Sequence, residues 1–516
     1  MPSSRAIKPK RDDTLLTNWE SVPERAPSIE RADRPLVARI LAMIGLFLLV
    51  LGTLAMLAPR WQRAAAISPA WGFFLGTIGL CFILFHAYSE HDHQFRRLYG
   101  FAGLALAIGG IVLRLLAFKA GYMPLFMLGG VPALFVGLIV LIGVVRNETD
   151  AGFRTLLLYV IGGIAGLIIA FCLGNSLGRP SWAIEFLSGQ GALLLLIGLL
   201  YASAFIGLQE SNSEIGYYTA LGLGAVGLVG FFVGLIRSML PESNFLVPAG
   251  LILMAMSILY IVVALGVCID WPVIVLTRRE LAAYFYSPLA YLVIVAQLIL
   301  GWIMFREFTI NMEESGGMFE PIVGSYVFSL IPVIVITFLI PVLTMRLLSE
   351  EKRSGTLEVL LTAPVNEISV VLGKFLASWI FYNLLWAPAW VFLISLRFYN
   401  GAEFDFRPVL SFTVAMGAIS AGLLAMGLFF SSLTSNQIIA AVFTFVGVMA
   451  HLALYIGKFQ RGTRGFADIF GFINYLDFML DSLQGILAPR LLMFHLAVGV
   501  FFLFATVKVL ESRKWK

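Results

Sequence analysis

Apolar residues run through this chain in long blocks broken by short polar connections. Blocks of about 20 residues, the length that crosses a bilayer core, fall at 40–58, 70–88, 99–117, 124–145, 155–174, 191–208, 217–236, 245–269, 289–305, 325–345, 375–396, 409–430, 438–456 and 491–509. The pattern predicts an all-α polytopic membrane protein with about 14 transmembrane helices. The connections left between the blocks are too short for a folded extramembrane domain. Chemistry that needs a soluble domain must therefore come from another chain.

Composition sharpens this reading. The chain is 60% hydrophobic and 13% charged, with a mean hydropathy of +0.92. Soluble domains are closer to half apolar and a quarter charged, so an ordinary cytosolic protein is excluded. Disorder is excluded over most of the length, because so apolar a chain has ample surface to bury. Residues 1–36 form a polar tail without an apolar region, so no cleavable signal peptide of normal form is expected and insertion starts from an uncleaved first helix. An even number of spans places both ends on one side. That side then holds 22 of the 35 Lys and Arg residues, which predicts that both termini are cytoplasmic. The net charge of +5 reflects this topology rather than nucleic-acid binding.

Glycine divides the chain. Of its 49 glycines, 32 precede residue 270. Glycine lets membrane helices approach closely, so the first eight helices, in a module over 37–269, should pack tightly. Six helices remain in 270–516. The first part also suggests an internal repeat. Its inner connections read Glu90-His-Asp-His-Gln-Phe95-Arg96, Glu148-Thr-Asp-Ala-Gly-Phe153-Arg154 and Glu210-Ser-Asn-Ser-Glu-Ile215-Gly216, each followed by a glycine-rich helix. This predicts three tandem two-helix hairpins between two flanking helices.

Candidate chemistry is sparse. No Asp or Glu sits at mid-span, which disfavours transport driven by an ion gradient. Arg114 is near enough to an outer end to snorkel, and His86, His451 and His495 suit packing better than proton relay. His86, His91, Asp92 and His93 do not have zinc-ligand spacing. Cys81, Cys172 and Cys268 show no CxxC spacing and read as thiols in membrane helices. No G-x-x-x-x-G-K-[ST] occurs, so the chain has no P-loop for ATP. The acidic stretch 306–320, with Glu307, Glu313, Glu314 and Glu320, reads as a solvated outer loop.

One inner segment carries more information. After the tenth block come Glu350, Glu351, Lys352, Arg353, Ser354, Gly355, Thr356, Leu357, Glu358, Val359, Leu360, Leu361, Thr362, Ala363 and Pro364. Mixed charges precede Leu357, Leu360 and Leu361, whose spacing predicts a short helix with one apolar face, ended by Pro364. Two turns of helix are not stable alone, so the leucines need a surface to bury against. Lys374 marks the return to the membrane.

The stretch EEKRSGTLEVLLTAPVNEISVVLGK, residues 350–374, resembles the coupling segment of ABC-2 type permeases, most closely the branch of the gliding-motility permease GldF and the copper-maturation permease NosY. Residues 277–288, with Arg278, Arg279, Glu280, Tyr284, Tyr286 and Pro288, are similar to that family's amphipathic connecting helix. The paired arginines suit headgroup phosphates and the aromatics suit the membrane interface. Residues 474–486 resemble its outer helix. The resemblance covers about 270–516 and leaves 1–269 unexplained.

The resemblance implies a non-catalytic permease in a bacterial inner membrane. Two such units, identical or different, would face each other among membrane lipids. Each would dock its coupling helix on a separate ATPase subunit that holds ATP and Mg, and this chain would bind no cofactor and no nucleic acid. A secondary transporter or an intramembrane lipid-linked transferase is the alternative.

Overall fold

The computed structural model describes residues 34–57, 69–89, 92–120, 129–176, 186, 191–209, 214–239, 249–286, 288–315, 322–327, 330–357, 366–387, 389–390, 393, 407–459 and 466–513. These residues are mostly helical, with no strand among them. In chain order the helices are α1 Arg34–Leu57, α2 Pro69–Ser89, α3 His93–Ala120, α4 Val131–Asn147, α5 Ala151–Ser176, α6 Ala192–Leu208, α7 Glu214–Met239 and α8 Ala249–Cys268. There follow α9 Pro272–Tyr286, α10 Pro288–Ser315, α11 Ile322–Tyr326, α12 Leu330–Thr344, α13 Ser349–Ser354 and α14 Glu367–Leu384. The last are α15 Arg407–Leu433, α16 Gln437–Gly457, α17 Ala467–Ile473, α18 Tyr475–Leu483 and α19 Pro489–Arg513.

Each predicted block has a helix over at least part of its range. Among the described residues nine helices are long and apolar enough to cross a membrane, and four more apolar helices are shorter. The protein is thus an all-helical integral membrane protein. One boundary differs from expectation: α10 continues to Ser315, so Glu307, Glu313 and Glu314 lie on a helix and not in a loop. Hydropathy locates the edge of the membrane, whereas the helix ends only where its backbone hydrogen bonds do. Glu320 lies outside the described residues.

By internal contacts the described residues form two compact units, one within 1–107 and 136–157, the other within 108–135 and 158–516. In the first unit α1 and α2 cross at glycines. A Cβ on Gly45 would lie 2.7 Å from the Gly79 carbonyl oxygen, too close for any other residue. Gly137 of α4 meets α3 in the same way, its Cβ position 2.8 Å from the Ala107 nitrogen. Two of the three repeated connections prove to be helix caps, and residues 210–213 of the third lie outside the described residues. Asp92 Oδ1 accepts from the Gln94 N–H and Asp150 Oδ1 from the Gly152 N–H, both at 3.0 Å, opening α3 and α5. The Gly152 N–H and then the Arg97 guanidinium, 2.9 Å away, hold the Asp150 carboxyl below its ordinary range. The buried His86 packs with its Nδ1 2.8 Å from the Tyr99 hydroxyl.

In the second unit the same scheme continues. Gly198 of α6 packs on Ile168 and Ile169 of α5, and Ser257 of α8 fills the groove at Gly227 and Gly230 of α7. The four contact positions Gly79, Gly137, Gly198 and Ser257 lie roughly 60 residues apart, the period of a two-helix unit. The pairs are therefore α1–α2, α3–α4, α5–α6 and α7–α8. Two buried tyrosines link successive pairs. Tyr201 of α6 donates to the Leu134 carbonyl of α4 at 2.7 Å, and Tyr260 of α8 donates to the Leu195 carbonyl of α6 at 2.7 Å.

Beyond α8 the core is built around α15. Its run of small residues, from Ala415 through Gly417, Ser420, Ala421, Gly422 and Ala425 to Gly427, is buried and admits α12, α14, α16, α18 and α19 at close range. A Cβ on Gly422 would stand 3.0 Å from the His495 carbonyl oxygen. Asn474 caps α18 by accepting from the Asp477 N–H at 3.0 Å, and Gly485 takes φ +85° where the chain turns into α19.

Candidate functional site

The site lies where α9, the α12–α13 turn and α14 meet. Pro341 lies near the end of α12, and the chain then turns through Met345–Leu348 into α13. Leu347 and Leu348 are buried, which anchors the turn in the core. Several of its backbone groups share one partner. Ser431 Oγ of α15 accepts from the Leu348 and Ser349 N–H groups, each at 3.1 Å, and lies 3.3 Å from the Met345 carbonyl oxygen, to which it donates. A single hydroxyl thus supplies what a helix N-terminus leaves open.

Glu350 and Glu351 open the short α13, and Lys352 and Arg353 close it, each charge at the end its sign favours. Gly355 ends the helix at φ +74°, a left-handed conformation that suits glycine. Ser354, Gly355 and Thr356 are exposed. Leu357 differs from expectation: it is 3% exposed and packs in the chain's own core, so it offers no apolar face to a partner. The left-handed turn at Gly355 redirects the chain and carries Leu357 inward. Glu358, Leu360, Leu361 and Pro364 lie outside the described residues.

Lys374 of α14 is the centre of the site. It is 3% exposed, yet it is fully engaged. Its Nζ lies 2.6 Å from Glu351 Oε1 and 3.2 Å from Glu280 Oε2. The other oxygen of Glu280 takes the Arg279 guanidinium at 2.8 Å. Burial raises the Glu280 carboxyl, but Lys374 and Arg279 together outweigh it and hold the group below its ordinary value. One buried cation thus joins α9 to α13. Close backbones make this possible, since a Cβ on Gly373 would lie 2.7 Å from the Leu276 Cβ.

The two arginines of α9 have separate roles. Arg278 reaches back to the Ile269 carbonyl at 3.3 Å and the Asp270 carboxylate at 3.2 Å, closing the end of α8. Arg279 belongs to the lysine network. Tyr284 was expected at the membrane interface, and the structure turns it inward. It is buried, stacks on Phe381 of α14 at 4.8 Å and donates to the Leu343 carbonyl at 3.2 Å. Stacking two rings in the core removes more apolar surface than the interface would. The side chains of Tyr286 and Pro288 lie outside the described residues.

Around this junction opens a cleft of about 460 Å³, lined by Glu280, Tyr284, Arg346, Glu350, Glu351 and Lys374 among others. Sequence reasoning missed Arg346 and took Lys374 only as a boundary marker. The available signal was a lysine inside an otherwise apolar helix, which needs a partner. Among the described residues no group of three or more His, Cys, Asp or Glu is placed to hold a metal ion.

No curated protein and no solved structure matches the chain. Residues 284–451, about a third of the chain, match the family described as ABC-2 family transporter protein, and this segment, which holds α13 and Lys374, points to an ABC permease.

Proposed function

We propose that the chain is the permease subunit of an ABC-2 type exporter, driven by a separate ATPase subunit that carries ATP and Mg. The observation that carries this reading is the Lys374 junction. The coupling segment is tied through one buried lysine to the connecting helix and to the membrane bundle. A displacement of α13 by a docked ATPase would therefore move α9 and α14 with it. The exposed Arg353 would meet the ATPase together with Glu358, Leu360 and Leu361. Leu357 would instead hold the segment to the bundle.

In this reading residues 270–516 are the permease domain, of the GldF and NosY branch, and two such units face each other in a bacterial inner membrane. Residues 37–269 form an accessory membrane module that holds cargo or a partner chain. Purification of the full chain from its own membranes in mild detergent is expected to bring a P-loop ATPase with it. Leu360→Asp, which buries a charge in the docking groove, is expected to lose that ATPase while the permease still inserts. Recovery of no ATPase, or ATP turnover by the purified chain alone, would overturn the proposal.

A further inference from the structure

The cleft beside Lys374 has charges of both signs that the junction leaves open. Lys374 and Arg279 are engaged by Glu280 and by one oxygen of Glu351. The second oxygen of Glu351 is buried and has no hydrogen-bond partner. Glu350 lies beside it on the cleft wall, exposed. Arg346, also on the wall and half-buried, forms no ion pair among the described residues. A cleft with an exposed carboxylate, a second carboxylate with one unpartnered oxygen, and a guanidinium outside any described ion pair fits a ligand that itself carries a cation and an anion.

The location narrows the ligand. One wall of the cleft is α9, an amphipathic helix at the end of a membrane span whose Trp271 and Val275 are exposed, as residues at a lipid interface are. The volume lies in the range of small-molecule sites, about 300–1,000 Å³. We propose that the cleft binds the headgroup of an aminophospholipid, a diacyl phosphoethanolamine, with its phosphate on Arg346 and its ammonium on Glu350 and the open oxygen of Glu351.

The chemistry discriminates among lipids. A buried carboxylate oxygen without a partner requires an N–H donor. The primary ammonium supplies three, whereas a choline headgroup has a full positive charge but no N–H. A glycerol headgroup satisfies Arg346 and leaves the carboxylates facing a net negative lipid. Guanidinium and phosphate form paired hydrogen bonds of matched geometry. The inference needs only that the chain lies in a membrane, and it stands whether or not an ATPase docks nearby.

The test uses the full chain, with any ATPase that accompanies it. The protein is reconstituted in vesicles of equal phosphatidylethanolamine, phosphatidylcholine and phosphatidylglycerol, and retained lipid is counted by native mass spectrometry. Phosphatidylethanolamine should be retained over phosphatidylcholine by roughly tenfold, the selectivity that one charge-assisted hydrogen bond supports. Arg346→Gln should lower retention of all three lipids. Glu351→Gln should remove the discrimination between ethanolamine and choline, and the exposed Glu350→Gln, which leaves the junction intact, should weaken it. Equal retention of the two lipids by the wild type, or full discrimination in every variant, would overturn the proposal.

Maleimide labelling of Thr356→Cys separates the possible occupants. Protection by phosphatidylethanolamine vesicles but not by soluble phosphoethanolamine supports a lipid. Equal protection by the soluble compound, or protection that needs only the ATPase in phosphatidylcholine vesicles, would assign the cleft to a metabolite or to a protein and refute the inference.

Discussion

Replacing Lys374 by methionine should be the most damaging single change at the junction. Methionine keeps the length and apolar stem of lysine and removes only the charge. Two carboxylates, Glu280 and Glu351, then face each other without the cation between them. Removing one partner from a buried ion network costs about 3–5 kcal/mol, because the remaining charges are buried uncompensated. The side chains of Glu280 and Glu351 are 16% and 20% exposed, so water relieves part of this and places the loss near the lower end.

The effect also has a pH signature. In the wild type the Glu280 carboxyl is held below its ordinary value. It therefore contributes stability above its unfolded pKa, and that contribution is lost as pH falls through the folded value. In Lys374→Met, burial and the facing Glu351 act against Arg279 alone, and the carboxyl moves upward. A raised carboxyl lowers stability at neutral pH, and protonation restores it. The gap between variant and wild type should thus be smaller at mildly acidic than at neutral pH. The assay is loss of the monodisperse detergent-solubilised species on heating, since unfolding of such a chain is irreversible and is read as a rate. A second change, Glu280→Gln in the Lys374→Met background, should recover much of the loss. A variant that survives heating like the wild type at both pH values, or a double variant no better than the single, would refute the electrostatic account of the junction.

Three further outcomes are expected. Ser431→Ala should leave the Leu348 and Ser349 N–H groups without an acceptor, at about 1–3 kcal/mol for an unsatisfied buried donor, and hydrogen exchange should quicken at those two amides first. Gly373→Ala should press a methyl group on Leu276 and part α9 from α14, an overpacking cost of about 1–3 kcal/mol, seen as weaker cysteine cross-linking between the two helices. Tyr260→Phe should be mild, about 0.6 kcal/mol for a hydrogen bond between membrane helices, and its thermal stability should stay close to that of the wild type.

Much of the architecture was legible from hydropathy and end signals. A helix expected near residue 270 begins at Pro272, and one expected at 474 begins there with Asn474 as its cap. These features are local, so short windows carry them. The junction was not legible because its members are far apart in sequence. Glu280 and Lys374 meet only when α9 crosses α14, and no periodicity in either helix announces the partner. Tyr284 misled because an aromatic near a span end has the same local signature whether it faces lipid or the core. The likeness of the connections at 90–96 and 148–154 was visible, but the pairing of the helices was not. The sequence motif marks the capped helix start, whereas the glycine contacts that pair the helices lie across the other connections.

The tyrosine links between α4, α6 and α8 have a consequence for how such a chain can grow. Each link joins a helix to the equivalent helix one hairpin earlier, so the array is extended by whole hairpins. A hairpin leaves the membrane on the side where it entered. Duplicating or losing one by recombination therefore preserves the orientation of every later helix, and with it the side on which α13 and Lys374 emerge. Gain or loss of a single helix would invert the rest of the chain. The N-terminal array can thus change length in steps of two helices during evolution, while the machinery after it keeps its address.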